Sequence, residues 1–303
     1  MIKAICPNHV VVLVPALICL LAAGLSAANL PAGAEFIIQS HRGAGNLAPE
    51  NTLPTFQLAW KMGTVPEADV RATTDGVIVA FHDNNLKRLA PGAPEDIKAK
   101  SVNDLSWAVA SSLDVGEYKG TKYKGERMAR IDEVFDEMKG RPERWLYLDV
   151  KEVPLEKMAK MAYQRGIQNQ LILASTHYEH HQAWKKMLPT SQTLLWMGGE
   201  ESALRKRIDD LRKADFACLT QLQVHIVVGD LNSADPFSPS SAFIREVAKE
   251  LKSRGILFQT WVRGSDDPRA YEMLLDLGLD SFASDDPHVA LEVMRNYHKR
   301  TKK

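Results

Sequence analysis

The chain has 303 residues, of which 45 % are hydrophobic and 25 % charged, and its 38 basic and 38 acidic side chains give a formal net charge of zero. This composition belongs to a folded globular protein and excludes a disordered or fibrous one. Balanced charge leaves no broad basic surface for nucleic acid and no sustained field for an anionic membrane, so local charge must carry the function.

At the N-terminus Lys3 precedes an apolar run from Val10 to about Ala23, followed by the small residues Gly24-Leu25-Ser26-Ala27-Ala28. The pattern predicts a signal peptide over 1–28, cleaved near Ala28. The mature domain, 29–303, is then expected to be exported, periplasmic or secreted, and to keep no membrane span. An uncleaved anchor is the alternative, since the run approaches the length of a span. Cleavage removes Cys6 and Cys19 and leaves Cys218 without a disulfide partner; in the run Phe216-Ala217-Cys218-Leu219 it reads as a core residue.

From residue 35 onward short β-rich runs alternate with longer amphipathic stretches, and no Pro/Ser-rich linker or repeat divides them. The strand candidates are Glu35 to Gln39, Pro66 to Ala72, Trp145 to Val150, Leu171 to Ser175, Thr193 to Met197, Phe216 to Thr220, Ile256 to Val262 and Asp280 to Ser284. Helical patterns such as Thr52 to Met62, Leu155 to Arg165 and Phe243 to Arg254 lie between them. Eight such β-then-α units in one domain predict a single (β/α)8 TIM barrel. A doubly wound open sheet is the alternative, but no Gly-rich dinucleotide fingerprint follows the first strand.

In a barrel the chemistry sits at the C-terminal ends of the strands. His41 and Arg42 end the first strand. Glu67 and Asp69 end the second, one residue apart and therefore on the same face, and Asp149 and Lys151 end the third in the same alternation. Three carboxylates and a lysine at one mouth raise each other's pKa unless a cation sits among them. The stretch "DVRATTDGVIVAFHD" reads as a β-hairpin with Asp75-Gly76 as a two-residue turn, a register that sets His82 opposite Asp69. Trp261, at the end of the seventh strand, reads either as a wall of the substrate site or as core. His177, His180 and His181 read as the solvated start of a helix, with His177 a candidate substrate contact, and His225 as a structural or surface residue.

The motifs "HRG", "PENT", "EADV", "TDG" and "FHD", with "LYLDVK" and "GLDSFASDDP" further on, resemble the glycerophosphodiester phosphodiesterase family. The resemblance implies a metal-dependent barrel enzyme that hydrolyses glycerophosphodiesters to glycerol 3-phosphate and an alcohol. Carried over by position, it implies Glu67 and Asp69 as metal ligands, His41 and His82 as the acid/base pair, and Arg42 as a phosphate-binding residue, with Glu50 near the metal or in its surroundings. Asp149 stands where the family usually has Glu, and completes an all-oxygen set suited to Mg²⁺ or Ca²⁺. Lys151 adds a point charge for the phosphate. The expected partner is a small glycerophosphodiester or lysophospholipid headgroup, and oligomeric state is left open. Two other readings compete: another phosphodiester-cleaving, phospholipase D-like barrel of the sphingomyelinase D kind, which the Asp149 substitution fits, and a non-catalytic exported binding protein.

Overall fold

The computed structural model describes residues 30–301, so the expected signal peptide over 1–28 lies outside the described residues. Eight parallel strands among them follow one another around a closed barrel: β1 (Ile38–Ser40), β2 (Val65–Ala72), β3 (Leu146–Glu152), β4 (Leu171–Ser175), β5 (Gln192–Met197), β6 (Gln221–Val224), β7 (Leu257–Arg263) and β8 (Ser281–Ser284). Closure is direct, since Ile38 pairs with Phe282 and Ser40 with Ser284 in parallel register. The single (β/α)8 barrel is therefore the fold. None of the helices among the described residues is long and apolar enough to cross a membrane.

The helices form where amphipathic stretches carry start signals. Ser240 accepts from the Phe243 backbone N–H at the head of the helix Ser241–Arg254, and Asp267 accepts from the Arg269 N–H before Pro268–Asp276. Their apolar faces, including Phe243, Ile244, Val247 and Leu251, cover the outer side of the sheet in a continuous core with Leu222, Val224 and Phe258.

The barrel interior departs from the branched aliphatic filling usual in such folds. Gln221 donates to Gln192 at 2.9 Å, Tyr147 to Gln221 at 2.8 Å, and Gln259 to Ser281 at 3.0 Å, while Gln223 donates to Gln259 and, at 3.3 Å, to Gln39. All of these side chains are buried, and the amides satisfy one another as buried polar groups must.

This layer explains the one strand that is misplaced in the sequence reading. Phe216 to Thr220 is not a strand: Asp215, Phe216 and Cys218 adopt φ of 49°, 50° and 65° in a turn after the helix Glu201–Lys213. The sixth strand is instead Gln221–Val224, whose inward glutamines hide it from a search for apolar runs. Cys218 is accordingly half-buried in that turn rather than in the core.

The hairpin also shifts by one residue. Val70 pairs with Ala80 and Ala72 with Ile78, which sets Asp69 opposite Phe81; the Phe81 N–H donates to the Asp69 carbonyl at 2.7 Å. The loop holds three residues, Thr74 to Gly76, and closes with Gly76 at φ +78°, the left-handed position such loops need. The side chain of Asp75 fixes it by accepting from Thr73 at 2.6 Å and from the Trp107 N–H at 2.9 Å. The segment that follows builds a satellite core of Leu86, Leu89, Val102, Leu105 and Val115 on the hairpin and overhangs the barrel mouth.

Candidate active site

Glu67, Asp69 and Asp149 meet at the C-terminal mouth with ligand oxygens all within 4.8 Å of one another, and all three are buried. Strand register places them, because Asp69 pairs directly with Asp149 across β2 and β3. Glu152, by contrast, alternates outward, is 65 % exposed and faces Arg71. Lys151 reaches back over the group, 2.6 Å from Asp149 and 3.3 Å from Asp69. Trp196 donates its indole N–H to Asp149 at 3.1 Å, and Asn51 its amide to Asp69 at 2.8 Å.

The charges are in excess for their number of partners. Burial, together with Asp69 and Asp149, pushes Glu67 up to about 7 against the pull of His41. Burial also acts on Asp69, but Lys151, His82 and the Asn51 hydrogen bond outweigh it and hold that carboxyl below its usual range. Asp69 Oδ1 is buried without a hydrogen-bond donor, Lys151 lying at ion-pair distance only. A cluster of hard oxygens with an unsatisfied carboxylate oxygen is what a Mg²⁺ or Ca²⁺ ion requires, so the residues present fit a divalent cation.

Each histidine is backed by its own carboxylate. His41 Nδ1 lies 2.6 Å from Asp285 Oδ1; burial lowers the imidazole pKa, but the Asp285 hydrogen bond and the field of Glu67 raise it further than burial depresses it. His82 Nδ1 lies 2.8 Å from Asp83 Oδ1, and its Nε2 lies 3.0 Å from Arg42 Nη2. A guanidinium only donates, so this contact makes His82 Nε2 an acceptor and places the ring proton on Nδ1, toward Asp83. His82 thus reaches the mouth where the chain leaves the hairpin, one residue beyond the position opposite Asp69.

Arg42 itself has a left-handed backbone, φ 53°, at the point where β1 turns across the mouth. Its guanidinium spans Glu50, at 3.2 and 3.3 Å, and His82. Glu50 therefore lies away from the carboxylate cluster: it is held by Arg42 and by Arg88, whose nitrogens approach its two oxygens at 2.6 and 2.9 Å. Its place is beside Arg42, one residue removed from the metal-fitting group.

The wall opposite is aromatic. Trp261 lies 5.0 Å from His41 between ring centroids, and His225 stacks on Trp196 at 5.2 Å while meeting Trp261 edge-on at 5.1 Å. Trp261 is thus a cavity wall. His225 corrects the structural-or-surface reading; it lines the cavity, and burial, with Arg263, His41 and Arg207 adding to it, lowers its pKa to about 4. His177 is 63 % exposed, lies beside Glu179 and does not line the cavity. His181 is fully buried beneath its helix, contrary to a solvated reading of the whole trio.

Asp285, Asp83, Arg88 and Trp196 belong to this site although sequence reasoning passed over them. A signal existed for three: Asp83 follows His82 in "FHD", Asp285 lies within "GLDSFASDDP", and Trp196 shares the alternation of β5. The carboxylate triad, His41, Arg42, His82, Lys151 and the aromatic wall enclose about 160 Å³, an interior suited to a small polar group. A second cavity of about 350 Å³, lined also by Arg88, Tyr118 and Lys119, adjoins it along His41, Arg42 and Trp261.

Comparison with known proteins shows the family and the fold. A glycerophosphodiester phosphodiesterase from Caldanaerobacter subterraneus is 24 % identical over 267 residues, 86 % of this chain and 98 % of that protein. The lysophospholipase D GDPD1 of Homo sapiens is 24 % identical over 281 residues, 85 % of this chain and 86 % of that protein. A solved structure of an Oleispira antarctica phosphodiesterase in complex with the product sn-glycerol-3-phosphate superposes with a TM-score of 0.66, at 23 % identity over 86 % of this chain and 96 % of that one. A glycerophosphodiester phosphodiesterase from Agrobacterium tumefaciens gives a TM-score of 0.63, at 21 % identity over 84 % of this chain and 98 % of that one. Residues 41–289, from His41 at the barrel mouth almost to the end of the described chain, match the glycerophosphoryl diester phosphodiesterase family, and the chain belongs to that family and with it to the phosphoric diester hydrolases.

Proposed function

We propose that the protein hydrolyses a glycerophosphodiester to glycerol 3-phosphate and an alcohol, with His41 and His82 as the acid/base pair. The observation that carries this reading is the convergence, in one small cavity, of a buried carboxylate triad, an arginine and two histidines that each have their own carboxylate. The Oleispira antarctica relative was captured with sn-glycerol-3-phosphate, and the human relative is a lysophospholipase D, which supports a glycerophosphodiester or lysophospholipid headgroup as the substrate class.

Glu67, Asp69 and Asp149 would hold the divalent ion, which when bound neutralises the diester's charge and polarises its phosphoryl oxygens. Arg42 presents a guanidinium fork to the phosphate, and Lys151 adds a point charge from the other side. An arriving phosphate competes with His82 for Arg42 and so frees the Nε2 lone pair, leaving His82 to take the proton of the incoming oxygen nucleophile. His41, whose protonated form the Asp285 hydrogen bond favours, is placed to give a proton to the departing alcohol. Each proton transfer of this kind contributes typically ~10²–10⁴-fold. The glycerophosphoryl half suits the inner cavity against Trp261, and the alcohol half the adjoining outer one.

An enzyme-coupled assay of glycerol 3-phosphate release from choline, ethanolamine, glycerol and inositol diesters, with and without Mg²⁺ or Ca²⁺, tests the proposal. Metal-dependent release from at least one diester supports it, and absence of release from all four rejects it. We further propose export after cleavage near Ala28. Mass spectrometry of protein from its native cell should find a mature N-terminus near Asn29, and full-length chain in the cytoplasm would refute export.

A further inference from the structure

Arg88 lies on the rim of the mouth, 43 % exposed, in the segment after the hairpin. An exposed arginine there reads first as a surface ion pair, worth little. Its contacts are unusual for one. Nη1 and Nη2 bind the two oxygens of Glu50 at 2.6 and 2.9 Å, while Nε and Nη2 bind the two oxygens of Asp83, both at 2.8 Å. Two edges of one guanidinium thus hold two carboxylates, a geometry that a lysine cannot reproduce.

Both carboxylates touch groups that face the phosphate. Glu50, only 10 % exposed, is the partner of Arg42, and Asp83 is the partner of His82. Arg42 and His82 in turn meet at 3.0 Å. The five residues therefore form a closed ring, His82–Arg42–Glu50–Arg88–Asp83, of which only His82 and Arg42 line the inner cavity, while Arg88 lies on its rim. Burial alone would raise the Asp83 carboxyl; the hydrogen bonds from His82 and Arg88 outweigh it and keep Asp83 ionised.

We infer that Arg88 is a positioning residue, a rim guanidinium that fixes the direction of Arg42 through Glu50 and the tautomer of His82 through Asp83. The inference rests on the phosphodiesterase reading of the cavity. Without Arg88, Glu50 is left to Arg42 alone and draws the fork off His82, while Asp83 loses the contact that holds it under Nδ1. Misplacement of this size at reacting groups costs up to about 10²-fold.

The test compares Arg88→Met and Arg88→Lys with the parent by two readouts. In the glycerol 3-phosphate release assay, Arg88→Met should lower kcat by roughly ten- to a hundredfold with a smaller change in KM, and Mg²⁺ affinity by calorimetry should stay within about twofold. Arg88→Lys, which reaches one carboxylate at a time, should recover part of the loss, and it serves alone if the Met variant does not fold. Imidazole ¹⁵N NMR of the metal-free protein gives the second readout, independent of turnover: His82 should be a single Nδ1–H tautomer in the parent and a mixture in the variants. Parent-like kcat together with an unchanged His82 tautomer in both variants would overturn the inference. If the parent itself released no glycerol 3-phosphate, the phosphodiesterase reading would fall, and the NMR comparison would still decide whether Arg88 sets His82.

Discussion

Asp149 stands one methylene short of the Glu that the sequence resemblance leads one to expect. Its neighbours compensate: it pairs with Asp69 in register, and Lys151 and Trp196 fix its two oxygens. Asp149→Asn keeps the size and removes the charge, so it should weaken divalent-ion affinity and turnover together, with partial rescue at high metal concentration. Asp149→Glu should retain measurable activity, whereas Glu152→Gln should leave calorimetric metal binding unchanged, because Glu152 points away. At the two histidines, His41→Ala and His82→Ala should each reduce turnover by roughly two to four orders of magnitude with the fold intact by circular dichroism. Near-parent turnover in either variant removes that residue from the mechanism. The grouping of the carboxylates was legible in sequence because strand alternation gives the face of Glu67, Asp69 and Asp149 directly, whereas the hairpin register that was to place His82 was off by one residue. Asp285 lay within "GLDSFASDDP", but its pairing with His41 was not legible, since the two meet across 244 positions and only barrel closure brings them together.

At the scale of elements, the turn after β1 is held against the end of β8 by backbone contact. The Asn46 N–H donates to the Asp285 carbonyl at 2.6 Å, and Gly45, at φ +59°, leaves no room for a side chain: a Cβ there would come within 2.0 Å of that carbonyl oxygen. Gly45→Ala should therefore move the segment that carries Asp285 away from His41. Overpacking of this sort costs about 1–3 kcal/mol, which scanning calorimetry would register as a lower melting temperature, and kcat should fall with it. A variant as stable and as active as the parent would show that the two loops are not coupled in this way. The same local physics limited the sequence reading. "TTDG" offered a two-residue turn, but Asp75 bonds to Thr73 and Trp107 and widens the loop to three residues, moving the partner of Asp69 from His82 to Phe81. The sixth strand escaped because its inward face is Gln221 and Gln223, a polar alternation that only the other glutamines of the barrel interior make stable.

Over the whole molecule, the alternation of strands and helices made the barrel legible, while the charge stored at its mouth comes from burying carboxylates that adjacent strands set side by side. Glu67 rises from its ordinary value of 4.5 to about 7 in the metal-free protein, so the folded state binds a proton that the unfolded chain has already lost between those values. The metal-free fold should accordingly lose stability as pH rises from about 4.5 to about 7. A bound divalent ion should offset that loss, stabilising the protein more at pH 8 than at pH 5, as thermal unfolding with and without Mg²⁺ would show; an ion-induced shift equal at both pH values would contradict this coupling. The central claim is that the carboxylate triad holds the ion on which hydrolysis depends. Calorimetric titration of Mg²⁺ or Ca²⁺ into chelator-treated protein, with glycerol 3-phosphate release followed on the same samples, tests it most directly. One ion should bind per chain, turnover should rise in step with occupancy, and Asp149→Asn should weaken both together; full turnover in the chelated protein, or ion binding as tight as the parent's in Asp149→Asn, would contradict the metal dependence.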